Sequence, residues 1–370
     1  MIYLHVPFCK SFCAYCDFYS EVCPANESAR AQKLFTDRVC AEIDARRGEI
    51  AAADGLKTLY VGGGTPSVLD VAELARIVRR LDAAPYAEFT VEVNPEDIVA
   101  KGRDYVRALL DLGVTRFSMG VQSMDDDILR WMRRRHDSTR AREAVRILRE
   151  AGVENLSLDL IFGLSQLSDA QWSGTLETIL ALAPQHISAY QLSIEPGSAL
   201  AEWVRKGEYA EAGEEQCRRQ YGLLCERLKA AGFRHYEISN FALPGYEAVH
   251  NSAYWRRLPY VGLGPGAHSF DGERTRSWNS EGLAGWTRSS ETLSDRDAEV
   301  ETLMLGLRTA DGLPEEWLRA HCDPVLLDRL LAEGALVSVP PEPGNDGSIG
   351  RLRIPEDRFF VSDDIIRDLV

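Results

Sequence analysis

Residues 1–16 read Met1-Ile-Tyr-Leu-His-Val-Pro-Phe-Cys9-Lys-Ser-Phe-Cys13-Ala-Tyr-Cys16. Ile2–Val6 is a short apolar run of the kind that forms a buried strand. Three cysteines then fall within eight residues, in the form Cys-x3-Cys-x2-Cys. Three thiolates on one tight loop can hold three irons of a cubane cluster and leave the fourth iron open to bind and activate a ligand. The competing assignment is a structural zinc site. Such sites usually pair two Cys-x2-Cys or Cys/His arms set well apart, whereas here Cys23 stands alone and His5 lies on the strand before the loop.

Working outward from this loop, five further β-rich runs follow: Thr58–Val61, Phe89–Val93, Arg116–Met119, Leu156–Ile161 and His186–Leu192. Between them, apolar residues recur at three- and four-residue steps over 31–52, 71–81, 101–112, 140–151 and 169–181, the period of amphipathic helices. Gly113 and Gly152 directly follow two of these segments, where C-cap glycines belong. The alternation predicts an α/β fold of parallel strands with helices packed outside. No Gly-x-Gly-x-x-Gly follows the first strand, which favours a partial (β/α)6 barrel over a dinucleotide-binding sheet. In either architecture function collects at the C-terminal ends of the strands, where Cys9, Gly62–Thr65, Glu92, Gln122 and Asp159 fall.

Past residue 195 the rhythm breaks. A helix over 214–231 leads into an irregular stretch rich in Gly, Pro and aromatics, and 286–295 reads as a linker. Short helices over 299–307, 315–321 and 324–333, then a hairpin and a last helix, predict a small winged-helix-like unit, with Pro340–Gly347 as a turn-rich tip. The segment 324–333 carries Asp328, Arg329 and Glu333, too acidic for a DNA-reading helix. The expected division is 1–195 for the barrel core, 196–290 for its extension and 291–370 for the C-terminal unit.

The 370 residues carry a formal net charge of −15, which disfavours nucleic acid and anionic membranes as general partners. No apolar run reaches the roughly 18 residues of a spanning helix. No export signal is evident, so the eight cysteines are expected in a reducing cytoplasm, where clustering means metal or redox chemistry.

Several supporting residues have bland alternatives. Gly62-Gly63-Gly64-Thr65 lets backbone approach a ligand, or simply makes a tight strand–helix turn. Glu92 binds a ligand or caps the helix beginning near Pro95. Gln122 offers both donor and acceptor. Asp159 sits in an apolar strand and calls for a ligand or an arginine partner. Arg133-Arg134-Arg135 is a solvated helix end or a carboxylate grip.

With these residues in place, the chain resembles the radical S-adenosylmethionine superfamily. That resemblance implies a [4Fe-4S] cluster on Cys9, Cys13 and Cys16, with S-adenosylmethionine chelated to the open iron and cleaved by an electron to a 5′-deoxyadenosyl radical. It places Tyr3, Gly63, Gly64, Thr65, Glu92, Gln122, Arg134 and Asp159 around that ligand. Tyr-Leu-His-Val-Pro-Phe-Cys, Cys-Asp-Phe, Gly-Gly-Gly-Thr-Pro, Gly-Val-Gln-Ser and Ile-Glu-Pro-Gly are similar to the oxygen-independent coproporphyrinogen oxidase group.

The oxidase has a further cysteine where this chain has Phe18, and an isoleucine where it has His268. His250-Asn251-Ser-Ala-Tyr254-Trp255 instead matches the haem chaperone branch of the group, which implies haem binding, with His250 as a possible iron ligand. That branch implies a haem acceptor, a membrane respiratory enzyme among the candidates, and an electron donor for the cluster. One departure is Gly163-Leu-Ser-Gln-Leu-Ser168, where the group has Gly-Leu-Pro-Gly-Gln-Thr. The rival readings are a porphyrin-modifying radical enzyme and an inert zinc-stapled scaffold.

Overall fold

A single strand period explains the core. In the computed structural model, which describes residues 1–339 and 350–370, six parallel strands carry apolar side chains on one face and polar ones on the other. They are β1 (Ile2–Val6), β2 (Thr58–Gly63), β3 (Glu88–Val93), β4 (Arg116–Gln122), β5 (Leu156–Phe162) and β6 (His186–Gln191). Leu4, Leu59, Val61, Phe89, Phe117, Leu158 and Ile187 are wholly buried in the hydrophobic core. Each such burial is worth about 1.5–3 kcal/mol against exposure. The alternate positions, Tyr3, Tyr60, Glu92, Ser118, Asp159 and Ser188 among them, turn to the opposite, inner face, so the inside of the curved sheet is polar.

The sheet continues past both edges of the six-strand core. β8 (Asn240–Ala242) pairs antiparallel to β6 and β7 (Arg234–Glu237) antiparallel to β8, while β9 (Val261–Leu263) adds parallel to β1. The order is β9-β1-β2-β3-β4-β5-β6-β8-β7, with no ladder joining the two outer strands among the described residues. This is the open, partial barrel that the alternation predicts.

Helical boundaries differ from the sequence reading where local contacts intervene. The segment 31–52 is two helices, Ala25–Ala45 and Arg47–Ala52, broken at Arg46. Its buried guanidinium donates to Gly262 O at 2.6 Å, Ser269 Oγ at 2.9 Å and Glu42 at 2.8 Å, tying the break to β9. The helix expected over 101–112 begins at Pro95, N-capped by the Asn94 side chain, and bends at Gly102 (φ 71°). The linker expected over 286–295 is a correction. Arg288–Thr292 is a strand paired antiparallel to Thr275–Asn279, exposed at all five residues and so without any apolar signal.

The C-terminal unit packs helices Asp295–Leu307, Glu315–His321, Pro324–Ala332 and Ser362–Leu369 with a small sheet of Leu313–Pro314, Arg351–Arg353 and Val337–Val339. Pro340–Gly347 lies outside the described residues. Among the described residues no helix is long and apolar enough to cross a membrane.

Candidate functional site

The cysteine loop is clamped at the C-terminal end of β1. Phe8–Cys9 pairs in parallel with Glu21–Val22, and Thr65 N donates to Phe8 O at 2.7 Å. Ala14, between the second and third cysteines, is buried and held on both sides, donating to Met132 O at 3.1 Å and accepting from Leu200 N at 2.8 Å. Lys10 in the loop reaches the fully buried Asp97 at 2.8 Å, and Arg135 and Ser67 bind the same carboxylate. These cations hold the Asp97 carboxyl below its ordinary range despite the opposing effect of burial, which is the larger single influence. The loop is therefore fixed independently of its sulfurs.

Those sulfurs have polar neighbours. Cys9 Sγ lies 3.3 Å from Thr65 Oγ1, and Arg134 Nη1 donates to Cys13 Sγ at 3.3 Å while its Nη2 holds Gly120 O. Arg134 thus sets a permanent cation beside a sulfur that ligates iron only as a thiolate. Burial pushes the Cys16 thiol up to about 11, so an iron bound there would have to displace its proton. Among the described residues no three His, Cys, Asp or Glu side chains are gathered closely enough to hold a metal ion. A cubane cluster, in which each thiolate takes a different iron, asks instead for sulfurs spread around one loop, and this donor set fits it.

Next to the loop the glycines form a cradle. A Cβ on Gly64 would stand 2.9 Å from Phe8 O and 3.1 Å from Cys9 Sγ, and one on Gly62 would stand 3.0 Å from Glu92 Oε1. Gly63 has φ 114°, open only to glycine without strain. The glycine turn is thus more than a tight connection, because side chains there would invade the space beside Cys9. Gly64→Ala is expected to leave the far-UV spectrum unchanged and to lower iron incorporation several-fold, measured as iron per chain after anaerobic reconstitution.

Glu92 is not the helix cap, a role taken by Asn94. It lies on the inner face, where Tyr60 OH donates to it at 2.8 Å and the Gly63 amide also binds it. Burial pushes its carboxyl up to about 7. Glu237, at the end of β7, is likewise raised by burial to about 7. Both acids hold their protons in the folded chain at a pH where the unfolded chain has lost them. Stability from these groups is therefore greatest below about pH 4.5 and falls as pH rises toward 7. Glu92→Gln is expected to flatten part of that decline in denaturant midpoints taken at pH 5, 6, 7 and 8.

The remaining sequence candidates divide between two ends of the strands. Gln122 closes β4 at φ 70°, beside a bulge and within reach of Arg134's neighbour Gly120. Tyr3 donates toward His5 Nδ1 at 3.1 Å and stacks near Tyr60 at 6.1 Å. Asp159 lies deeper, bound by Ser118 Oγ at 3.1 Å and Ser157 Oγ at 3.4 Å, with Arg116 partly offsetting the burial that raises its carboxyl.

His250 is not brought to the cysteine loop, although its ring lies 5.3 Å from that of Tyr60, which binds Glu92. It packs at the opposite, N-terminal end of the strands, against Thr58 Oγ1 at 2.8 Å and Tyr254 OH at 2.9 Å, with no exposed surface. Burial holds it down to about 3, so it is a neutral imidazole with both nitrogens engaged.

The sequence reading missed His5, Tyr60, Asp97, Arg116 and Ser118. Period-two alternation was the available signal. Within runs read as apolar, every second residue of β2, β3 and β4 is polar or glycine.

A family model described as the Radical SAM superfamily matches residues 3–179. The "Heme chaperone HemW" of Synechocystis is 36% identical over 84% of this chain and 78% of its own length. That of Escherichia coli is 32% identical over 90% of this chain and 91% of its own length. A zebrafish relative (Danio rerio), "Radical S-adenosyl methionine domain-containing protein 1, mitochondrial", is 31% identical over 85% of the chain and 74% of its length. Among solved structures, the coproporphyrinogen III oxidase HemN of Escherichia coli superposes with a TM-score of 0.77, at 21% identity over 99% of this chain and 89% of that one.

Proposed function

Because the chain belongs to the radical SAM superfamily and, within it, to the family of the heme chaperone HemW, we propose that it binds haem and hands it to a haem-requiring acceptor, with a [4Fe-4S] cluster and S-adenosylmethionine at the Cys9–Cys16 loop. The observation that carries this reading is a similarity to HemW proteins that spans about nine-tenths of the chain. Phe18, exposed where the oxidase group has a cysteine, and the run His250–Trp255 support the chaperone over the oxidase.

Cys9, Cys13 and Cys16 would hold the cluster. When bound, the cluster and its ligand supply a one-electron site with a small molecule on the open iron. The chain's own residues do the positioning. Asp97 fixes Lys10 and Arg135, and so the loop and the residue beside Arg134. Gly63, Gly64 and Thr65 present backbone next to Cys9, while Glu92, Gln122 and Asp159 offer acceptors for amino and hydroxyl groups along the inner face.

Haem titration of the anaerobically reconstituted protein, with and without S-adenosylmethionine, tests the reading. One saturable Soret-bearing haem per chain is expected, and no saturable binding would contradict it. The oxidase reading, favoured only by the shared fold, requires coproporphyrinogen III to be consumed in the same preparation.

A further inference from the structure

Haem iron takes a thiolate or a neutral imidazole as axial donor. Burial raises the thiols outside the cysteine loop, Cys23, Cys40, Cys217, Cys225 and Cys322, so none of them is a ready thiolate at neutral pH. That leaves the seven histidines. His5, His186, His235 and His250 are buried with both ring nitrogens engaged. His136 is buried too, with Nε2 on Val121 O. Only His268 and His321 are exposed. His321 gives Nδ1 to the Trp317 carbonyl of its own helix at 2.8 Å and lies flat on the Trp317 ring, on the surface of the C-terminal unit. The His268 ring makes no hydrogen bond among the described residues and stacks on Trp278, its cross-strand partner, with ring centres 6.1 Å apart.

The fold carries this ring to the open side of the barrel. Tyr3 and Gly262 are partners in the β1–β9 ladder, so a side chain at 262 would point to the inner face, as Tyr3 does. Main chain occupies that place. A Cβ on Gly262 would strike His268 O and stand 2.8 Å from its carbonyl carbon. Glycine at 262 therefore lets strand His268–Phe270 fold across the inner side of β9, the edge that no ladder joins to β7 among the described residues. Tyr190, on the inner face of β6, is 43% exposed, so the barrel interior is open to a flat molecule. The His-Asn-x-x-Tyr-Trp run joins the same wall: Tyr254 packs edge-on to Tyr260 at 4.7 Å, and Tyr260 packs with Phe270 at 6.5 Å.

Resting on the haem-binding reading above, we infer that His268 is the axial ligand of the haem iron, with the macrocycle at the open side of the barrel against Trp278. Burial and the neighbouring Arg276 hold the His268 imidazole below its ordinary value, which keeps a nitrogen lone pair available at neutral pH. Arg276 is itself held by Glu301, so the propionates are left on the solvent side. His250 then acts as a positioning residue. It ties helix Val249–Trp255 to β2 through Thr58, while Glu88 accepts the Val249 and His250 amides at 2.8 and 3.0 Å.

Because His268 is exposed, His268→Ala is expected to keep the fold and the iron and sulfide content of the reconstituted protein. Haem titration of the full chain is expected to show at least tenfold weaker binding and a shifted Soret band, which added imidazole moves back. His321→Ala is expected to match the unmutated protein in both.

Diethyl pyrocarbonate, which acylates accessible neutral imidazoles, gives a reading that needs no variant. Bound haem is expected to protect His268 and leave His321 modified, read by peptide mass spectrometry. An unshifted Soret band in cluster-loaded His268→Ala, a like shift in His321→Ala, or equal modification of His268 with and without haem would each overturn the ligand while leaving haem binding standing. Failure of the unmutated chain to bind haem would instead remove the reading on which the ligand rests.

Discussion

Cys13→Ala is expected to abolish the cluster outright: iron and sulfide fall from about four each per chain to background, and the broad visible absorption of the reconstituted protein disappears. Two remaining thiolates cannot replace the third, because each sulfur takes a separate iron and the neighbouring Arg134 has no lone pair to offer in its place. The same variant is expected to keep its fold. Cys13 is only partly buried and belongs to no hydrophobic cluster, and the loop is anchored through Ala14 and Lys10 rather than through its sulfurs. Cys217→Ala is the contrasting control, a buried thiol far along the chain whose loss leaves iron content untouched. Iron and acid-labile sulfide assays beside far-UV dichroism read the outcome. A Cys13→Ala protein that still carries a full cluster would remove the assignment.

The second large effect lies in the barrel interior. Arg116 is 1% exposed, and Glu88 and Asp159 are among the anionic partners that raise its pKa against its burial. Its Nε and Nη1 find no hydrogen-bond partner among the described residues, so it acts chiefly as a charge that balances carboxylates. Arg116→Met keeps the volume and removes the charge. Stripping one partner from a buried set of charges costs about 3–5 kcal/mol, because the remaining charge is left uncompensated.

The pH dependence identifies the cause. Asp159 is already raised by burial, and the loss of Arg116 removes the influence that lowers it most. The variant's carboxylates can take up protons at pH 5 but not at pH 8 without cost, so the destabilisation is expected to be larger at pH 8. Urea midpoints at both pH values measure it. Equal losses at both would point to packing instead.

These two predictions mark where sequence reading succeeds and where it stops. Cys9, Cys13 and Cys16 stand out as one candidate site because they are spaced within one short loop, which the structure places at the C-terminal end of β1. The six strands are legible because Leu4, Leu59, Phe89, Phe117, Leu158 and Ile187 build one apolar face. The polar inner face is written in the same strands, but Arg116, Ser118 and Tyr60 acquire meaning only when six strands curve together.

His250 shows the reverse case. Its motif is plain in the sequence, yet the chain folds that histidine beneath the strands, against Thr58, which is 192 residues away in sequence. Arg288–Thr292 gives no signal at all, since five exposed polar residues look the same in a strand and in a linker.

Haem delivery is the most direct measure of the central claim. The reconstituted protein is loaded with haem, separated from free haem, and mixed with a haem-depleted b-type haem enzyme, with coproporphyrinogen III and S-adenosylmethionine present under reducing conditions. The account predicts that the enzyme regains activity as the protein's Soret band declines, while the porphyrinogen is recovered intact. Decarboxylated porphyrinogen, with no haem retained or passed on, would contradict it.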